Sequence, residues 1–224
     1  MDKIKLGVLV GGTSIEREVS KKSYENLLAN LDENKYEITV YHLPADGNTE
    51  WAKNIISNPP QIVLSALHGG NGENGSIQGF LHCLNIPYIG SKVLSSAICM
   101  NKAMAKTVMK ANHIQVPDHV FVMRGVDFSQ YEESIKLMGF PLIVKPNRGG
   151  SSIGVIVARN MEDIHYGIKN IIETYDDDVL IEKFIDGKEI NCCVLQGENG
   201  PEAMAVLDVK KAGSVFVYDD KYHI

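Results

Sequence analysis

The chain of 224 residues has no apolar run long enough to cross a bilayer, which excludes a helical membrane protein. It has no excess of basic residues. The net charge is −6, with no basic stripe, so a nucleic-acid partner is not indicated. Its four cysteines, Cys83, Cys99, Cys192 and Cys193, form no C-x-x-C pair, which excludes the usual zinc and redox spacings. They read as buried or incidental thiols of a reducing cytoplasm. No repeat or low-complexity segment is present. Met1-Asp2-Lys3 leads straight into a strand, so no signal peptide is expected. Two phosphate-loop patterns are also missing. No G-x-G-x-x-G follows the first strand, and no Gly-Lys-Ser/Thr triplet opens a helix. With 44% apolar residues, what remains is a soluble globular chain of one large or two small domains.

The first part alternates strands and helices. Ile4 to Val10 is a near-continuous apolar run, suited to a buried parallel strand. Gly11-Gly12-Thr13-Ser14 turns the chain, and Thr13 or Ser14 is placed to cap a helix whose first turn holds Glu16 and Glu18. Strands at 36–42 and 62–66 follow, with a helix near 51–56 between them. Ser76 to Leu84 reads as a helix and Pro87 to Gly90 as a fourth strand. Such an arrangement is a parallel sheet with ligands at the carboxyl ends of its strands. Two loops occupy those ends, Gly11 to Glu16 and His68 to Gly75. Glu16 sits where a phosphate would otherwise dock. It repels an anion and attracts an ammonium group. His68, at a strand end, is placed to meet a carboxylate.

The texture changes near residue 97. Helices are expected at 91–97 and 101–112, the second carrying Lys102, Lys106 and Lys110 along one face. Lys102 opens that helix, where an anion could dock. A strand at 119–123 and a helix at 128–138 lead to the stretch Lys145-Pro146-Asn147-Arg148-Gly149-Gly150-Ser151-Ser152-Ile153-Gly154. It lies between two β-branched runs, so it reads as a hairpin loop with a lysine at its mouth. Glycine N–H groups, serine hydroxyls and an ammonium group together suit a polyphosphate. A helix at 161–175, an acidic turn Asp176-Asp177-Asp178 read as solvated, a strand from Val179, and antiparallel strands at 189–195 and 203–209 complete the pattern.

Five stretches, in order and spacing, resemble the D-alanine–D-alanine ligase family of the ATP-grasp superfamily. They are Gly11 to Ser20, His68 to Gly79, Lys145 to Gly154, Ile181-Glu182-Lys183 through Glu189, and Tyr218 to Tyr222. The resemblance implies an α/β fold. A Rossmann-like, pre-ATP-grasp parallel-sheet domain over 1–97 would be followed by an incomplete α+β ATP-grasp domain over 98–224. It implies joining of two D-alanines through a D-alanyl phosphate for peptidoglycan, with ATP and magnesium (manganese as a substitute), in a cytoplasmic homodimer formed by the N-terminal domain. Lys102, Lys145, Ser151 and Ser152 would meet the phosphates. Glu182, Lys183, Phe184 and Ile185 would read the adenine, partly by backbone, and Glu189 the ribose. Glu16 would bind the first D-alanine's ammonium group with His68 nearby. Glu16, Ser151 and Tyr222 would form a hydrogen-bonded set ordering the loops.

Some positions depart from the family pattern. Gly72-Glu73-Asn74-Gly75 stands where Gly-Glu-Asp-Gly is usual, and Asn101 where aspartate precedes the lysine. Each removes a negative charge and keeps the shape. Family chains also continue past the point matching Ile224 by roughly half a domain. That part carries the metal ligands, an arginine and most of the second D-alanine site, so no metal ligands are expected within these residues and normal turnover is not expected of them alone. A non-catalytic nucleotide- or D-alanine-binding remnant and a D-alanine–D-serine ligase are the competing readings. Lys221-Tyr222 favours D-alanine.

Overall fold

The computed structural model describes residues 2–209. Its backbone is a mixed α/β chain with one parallel and two antiparallel sheets, as the strand–helix pattern implies. Its contacts group into two units. Of the described residues, the first comprises 2–116 with 147–150, and the second 117–146 with 151–209.

In the first unit, β1 (Ile4–Gly11) lies between β2 (Tyr36–Leu43) and β3 (Ile62–Ser65), all parallel. Being central, β1 is covered on both faces. Leu6, Val8, Leu9 and Val10 are buried, which is why its apolar run does not alternate. β2 at the edge alternates instead. The helices are α1 (Arg17–Asn30), α2 (Glu50–Ser57), the single turn α3 (Gly70–Glu73), α4 (Ser76–Cys83), α5 (Val93–Met100) and α6 (Lys102–Ala111). Leu9, Tyr41, Ile55, Val63, Ile77 and Leu81 form the core. The fourth strand expected at 87–90 is only a bridge, in which Tyr88 pairs with Val63. Val63 N donates to Pro87 O at 2.9 Å and Ile89 N to Val63 O at 2.9 Å. Pro87 has no N–H to extend the ladder, and Gly90 turns away at φ 122°.

In the second unit, β4 (His119–Val122), β5 (Leu142–Pro146), β6 (Ile156–Ala158) and β7 (Val179–Lys183) form an antiparallel sheet in the order β4-β7-β5-β6. The expected hairpin is present as β5 and β6. The helix expected at 128–138 is a 3₁₀ turn, Phe128–Tyr131, followed by α7 (Glu132–Met138). α8 (Met161–Tyr175) is started by Asn160, whose side chain accepts from Asp163 N at 2.9 Å. It lays Ile164, Ile168 and Ile171 on Leu142, Val144 and Ile181.

Two expectations need correction here. The turn Asp176 to Asp178 is not merely solvated. Arg124 pairs with Asp176 and Asp178, its backbone N–H donates to Asp178 at 3.0 Å, and Asp177 is buried. The turn therefore straps the exit of β4 to the α8–β7 connection. The cysteines are free thiols and all four are exposed, not buried. Two of them lie on β8 (Glu189–Gly197), which pairs antiparallel with β9 (Gly200–Val209). Among the described residues no helix is long and apolar enough to cross a membrane.

Ile171 is wholly enclosed whereas Leu137 is 81% exposed. Ile171→Ala should lower unfolding free energy by about 2–5 kcal/mol, and Leu137→Ala should change it by less than about 0.5 kcal/mol. Urea denaturation of both variants checks the contrast.

Candidate active site

The first unit gathers its polar residues at the carboxyl end of β1. Gly12 N donates to Leu43 O at 2.7 Å, which turns the chain out of the sheet. Ser14 then accepts from Glu16 N at 3.1 Å through its hydroxyl, and its carbonyl accepts from Arg17 N at 3.1 Å. Glu16 therefore occupies the cap position of α1, where Thr13 or Ser14 was expected. Its carboxylate is buried, at the positive end of the helix dipole.

That carboxylate lies against two glycines. A Cβ on Gly150 would stand 3.0 Å from Glu16 Oε2, and one on Gly69 only 2.2 Å away. Gly69 also holds φ 63° and ψ −179°, a region essentially restricted to glycine. So the loop after β3 approaches Glu16 by backbone, a contact that a side chain there would prevent.

His68 precedes this contact. Its Nε2 lies 2.8 Å from Ser23 Oγ on α1. Its Nδ1 is 3.8 Å from Glu73 Oε1 at the end of α3. Glu73 is held above the usual carboxylate range, first by burial and next by the Glu16 charge, with the Gly69 backbone and His68 opposing. The Glu16, His68 and Glu73 side chains thus form one polar cluster. A cavity of about 450 Å³ opens beside it, lined by Glu73, Gln78, Ser95, Lys102 and Gly150 among others.

Lys102 begins α6, yet the helix start is not an open anion site. Lys102 N donates to Asn147 O at 3.1 Å, Ala103 N to Asn147 Oδ1 at 3.0 Å and Met104 N to Asn101 Oδ1 at 3.0 Å. The Lys102 ammonium group itself contacts the carbonyls of Asn147 and Gly149. It holds the glycine-rich segment by its backbone.

In the second unit, Lys145 on β5 and Glu182 on β7 share one sheet face. Ile143 pairs with Glu182, so Lys145 lies two residues along on the same side. The two side chains form an ion pair, with 21% and 10% of their surfaces exposed. Ser151 and Ser152 follow with φ of 52° and 59°, costly for residues with a Cβ and typical of functional loops. Lys183 donates by its ammonium group to the Met138 and Gly139 carbonyls at 2.9 and 3.0 Å, closing α7. The backbone N–H groups of Lys183 and Phe184 donate to Asp118 O and Pro141 O. The ammonium and both N–H groups are thus engaged within the fold. Ile185 and Glu189 are exposed. Tyr222 lies outside the described residues.

Three residues that join these sites were not singled out from sequence: Ser23, Glu73 and Asn147. Ser23 was legible in one respect. Glu16, Ser20 and Ser23 recur at helical spacing on the inward stripe of α1, where apolar residues are the rule. Among the described residues no three His, Cys, Asp or Glu side chains are grouped to hold a metal ion.

Gly69→Ala should cost at least about 1–3 kcal/mol, because it forces both strain and displacement of Glu16. Thermal unfolding measures it. Glu73→Gln has a signed pH dependence. A carboxyl raised in the fold contributes stability below its unfolded value near about 4 and loses it as pH rises through the raised value. The variant should therefore melt higher than the parent at neutral pH and lose that advantage on acidification. An advantage independent of pH would refute the electrostatic cause.

The chain matches the family model described as D-ala D-ala ligase N-terminus over 49–91 and that described as D-ala D-ala ligase C-terminus over 108–224. It is 39% identical over 220 residues to a D-alanine–D-alanine ligase of Bacillus anthracis, covering 98% of this chain and 68% of the relative. The crystal structure of the Bacillus anthracis ligase complexed with ATP superposes with a TM-score of 0.80 at 34% identity, covering 93% of this chain and 67% of that one. The VanG D-Ala:D-Ser ligase of Enterococcus faecalis gives a TM-score of 0.80 at 27% identity, covering 99% and 74%. Two successive family matches, and this identity along nearly the whole chain, place it in the D-alanine–D-alanine ligase family.

Proposed function

We propose that the chain serves ATP-dependent ligation of two D-alanines through a D-alanyl phosphate, for peptidoglycan precursors. The observation that carries this reading is the buried Glu16 carboxylate, held against Gly69 with His68 and Glu73 at hand. That set recognises a small ammonium group and leaves no room for bulk at the loop. Family membership supplies the reaction.

In this reading Glu16 takes the ammonium group of the first D-alanine, and His68 and Glu73 complete its surroundings. The carboxylate of that D-alanine attacks the γ-phosphorus of ATP, and ADP leaves. The amine of the second D-alanine then attacks the acyl carbon, and phosphate leaves. Lys145 and Lys102 balance phosphate charge that moves during the first step. Ser151 and Ser152 cover the phosphates and keep water from the acyl phosphate. Glu182 accepts from the adenine amine, with Lys183, Phe184 and Ile185 beside the base, and Glu189 accepts from the ribose. Ordering of the loops by Glu16, Ser151 and Tyr222 belongs to the same proposal, as do a cytoplasmic location and a homodimer. Magnesium is implied by the family, but the described residues offer no ligand set for it, so no step is derived through it. D-Alanine is preferred to D-serine as second substrate because, among the superposed structures, the Bacillus anthracis D-alanine ligase is nearer in sequence than the D-serine ligase, at 34% against 27% identity.

The test is calorimetric titration with ATP and with D-alanine, alongside ATP-dependent phosphate release in magnesium. Lys145→Ala should abolish nucleotide binding, and Glu16→Gln should weaken D-alanine by about tenfold or more with ATP binding retained. Equal loss of both ligands in both folded variants would refute the roles.

A further inference from the structure

We infer that Ser23 is a positioning residue for the first-substrate site, acting through His68. The inference deepens the reading of that site given above and rests on it. Ser23 is in the second turn of α1, 45 residues from His68 in sequence, yet their side chains meet at 2.8 Å. A helical serine commonly returns its hydroxyl to the carbonyl one turn back. This one is directed to the imidazole.

The ring has a different partner on each side. Nδ1 faces Glu73 Oε1 at 3.8 Å, and Nε2 faces Ser23. An ionised carboxylate only accepts, so the favourable neutral tautomer carries its proton on Nδ1. Nε2 is then the acceptor, and the Ser23 hydroxyl donates to it. Glu73 selects the tautomer and Ser23 fixes the ring plane. A ring turned over about its Cβ–Cγ axis would lose the Ser23 bond and the Glu73 contact together.

This arrangement ties α1, which presents Glu16, to the loop that carries Gly69 and Glu73. Both elements belong to the same compact unit. The ammonium pocket depends on their spacing, because Gly69 approaches Glu16 by backbone. Without the hydroxyl, the ring is free to present an unprotonated nitrogen to Glu73, acceptor against acceptor, and the loop is no longer pinned to the helix.

The experiment uses the whole chain with 15N-labelled imidazoles at about pH 8, where histidine is neutral. Long-range proton–nitrogen spectra report the tautomer of each ring. The His68 signals among the seven histidines are assigned by their loss in His68→Gln. The expected result is the Nδ1–H tautomer in the parent, a mixture in Ser23→Ala, and recovery in Ser23→Thr, which keeps a hydroxyl. D-Alanine affinity should fall about tenfold in Ser23→Ala, recover in Ser23→Thr, and leave ATP affinity unchanged in both. An Nε2–H tautomer in the parent, or an unaltered spectrum in Ser23→Ala, would overturn the assignment. So would a D-alanine affinity unaffected by Ser23→Ala. If the parent chain binds no D-alanine, the functional reading and the substrate role of Ser23 fall together. The spectrum still decides separately whether Ser23 orients His68.

Discussion

A buried carboxylate constrains everything around it, because removing it from water is costly unless dipoles, donors or charge replace the solvent. Glu16 imposes that constraint on the first unit. It sits at the start of α1, where the helix dipole favours a negative charge, and the turn at Ser14 fixes its backbone. Gly69 and Gly150 come close to it by backbone. Glu73 lies near enough to feel its charge, which raises the energy of the ligand-free site. On the proposed reading, an incoming ammonium group relieves that repulsion. Part of the binding free energy would then come from repulsion already present, and selectivity for a compact cation from the close approach of Gly69.

The second unit meets a related constraint differently. Lys145 and Glu182 share one face of two adjoining strands and neutralise each other there. The register that pairs Ile143 with Glu182 sets this contact, and a shift by one residue would send the two groups to opposite faces. On the proposed reading the nucleotide offers each a new partner, phosphate for the lysine and the adenine amine for the glutamate. Charge balance is therefore kept both with and without the ligand. Lys183, one residue on, faces the other way and is committed to the end of α7.

What was legible in the sequence was what depends on local pattern. The β1 run, the helix at 161–175, and the β5–β6 hairpin around a glycine-rich loop all follow from neighbours within a few residues. So does the placement of Glu16 at a helix start. What was not legible depends on partners far along the chain. Residues 87–90 have the composition of a strand, but Pro87 allows only one bridge to Val63. Asp176 to Asp178 look solvated until Arg124, more than fifty residues earlier, is seen to bind them. Ser23 and Glu73 gain meaning only from His68 between them. The resemblance to a ligase family identified the chemistry from short motifs, but those motifs do not contain the residues that hold them in place.

Lys102 shows how such a hidden partner alters a role. From sequence, the start of α6 is a ready anion site, with N–H groups and a lysine together. In the fold, Asn147 and Asn101 already satisfy the first N–H groups, and the ammonium group takes carbonyls of the glycine-rich segment. The helix end therefore contributes no open donors, and the lysine acts first as a clamp on residues 147–149. If phosphate is its second partner, as proposed, binding exchanges neutral carbonyl acceptors for charged ones, which form the stronger hydrogen bonds. The same exchange would release the backbone of the glycine-rich segment when the nucleotide arrives. Nucleotide capture and loop movement would then be two results of one change of partner, with Asn147 Oδ1 remaining on Ala103 N to hold the base of the loop.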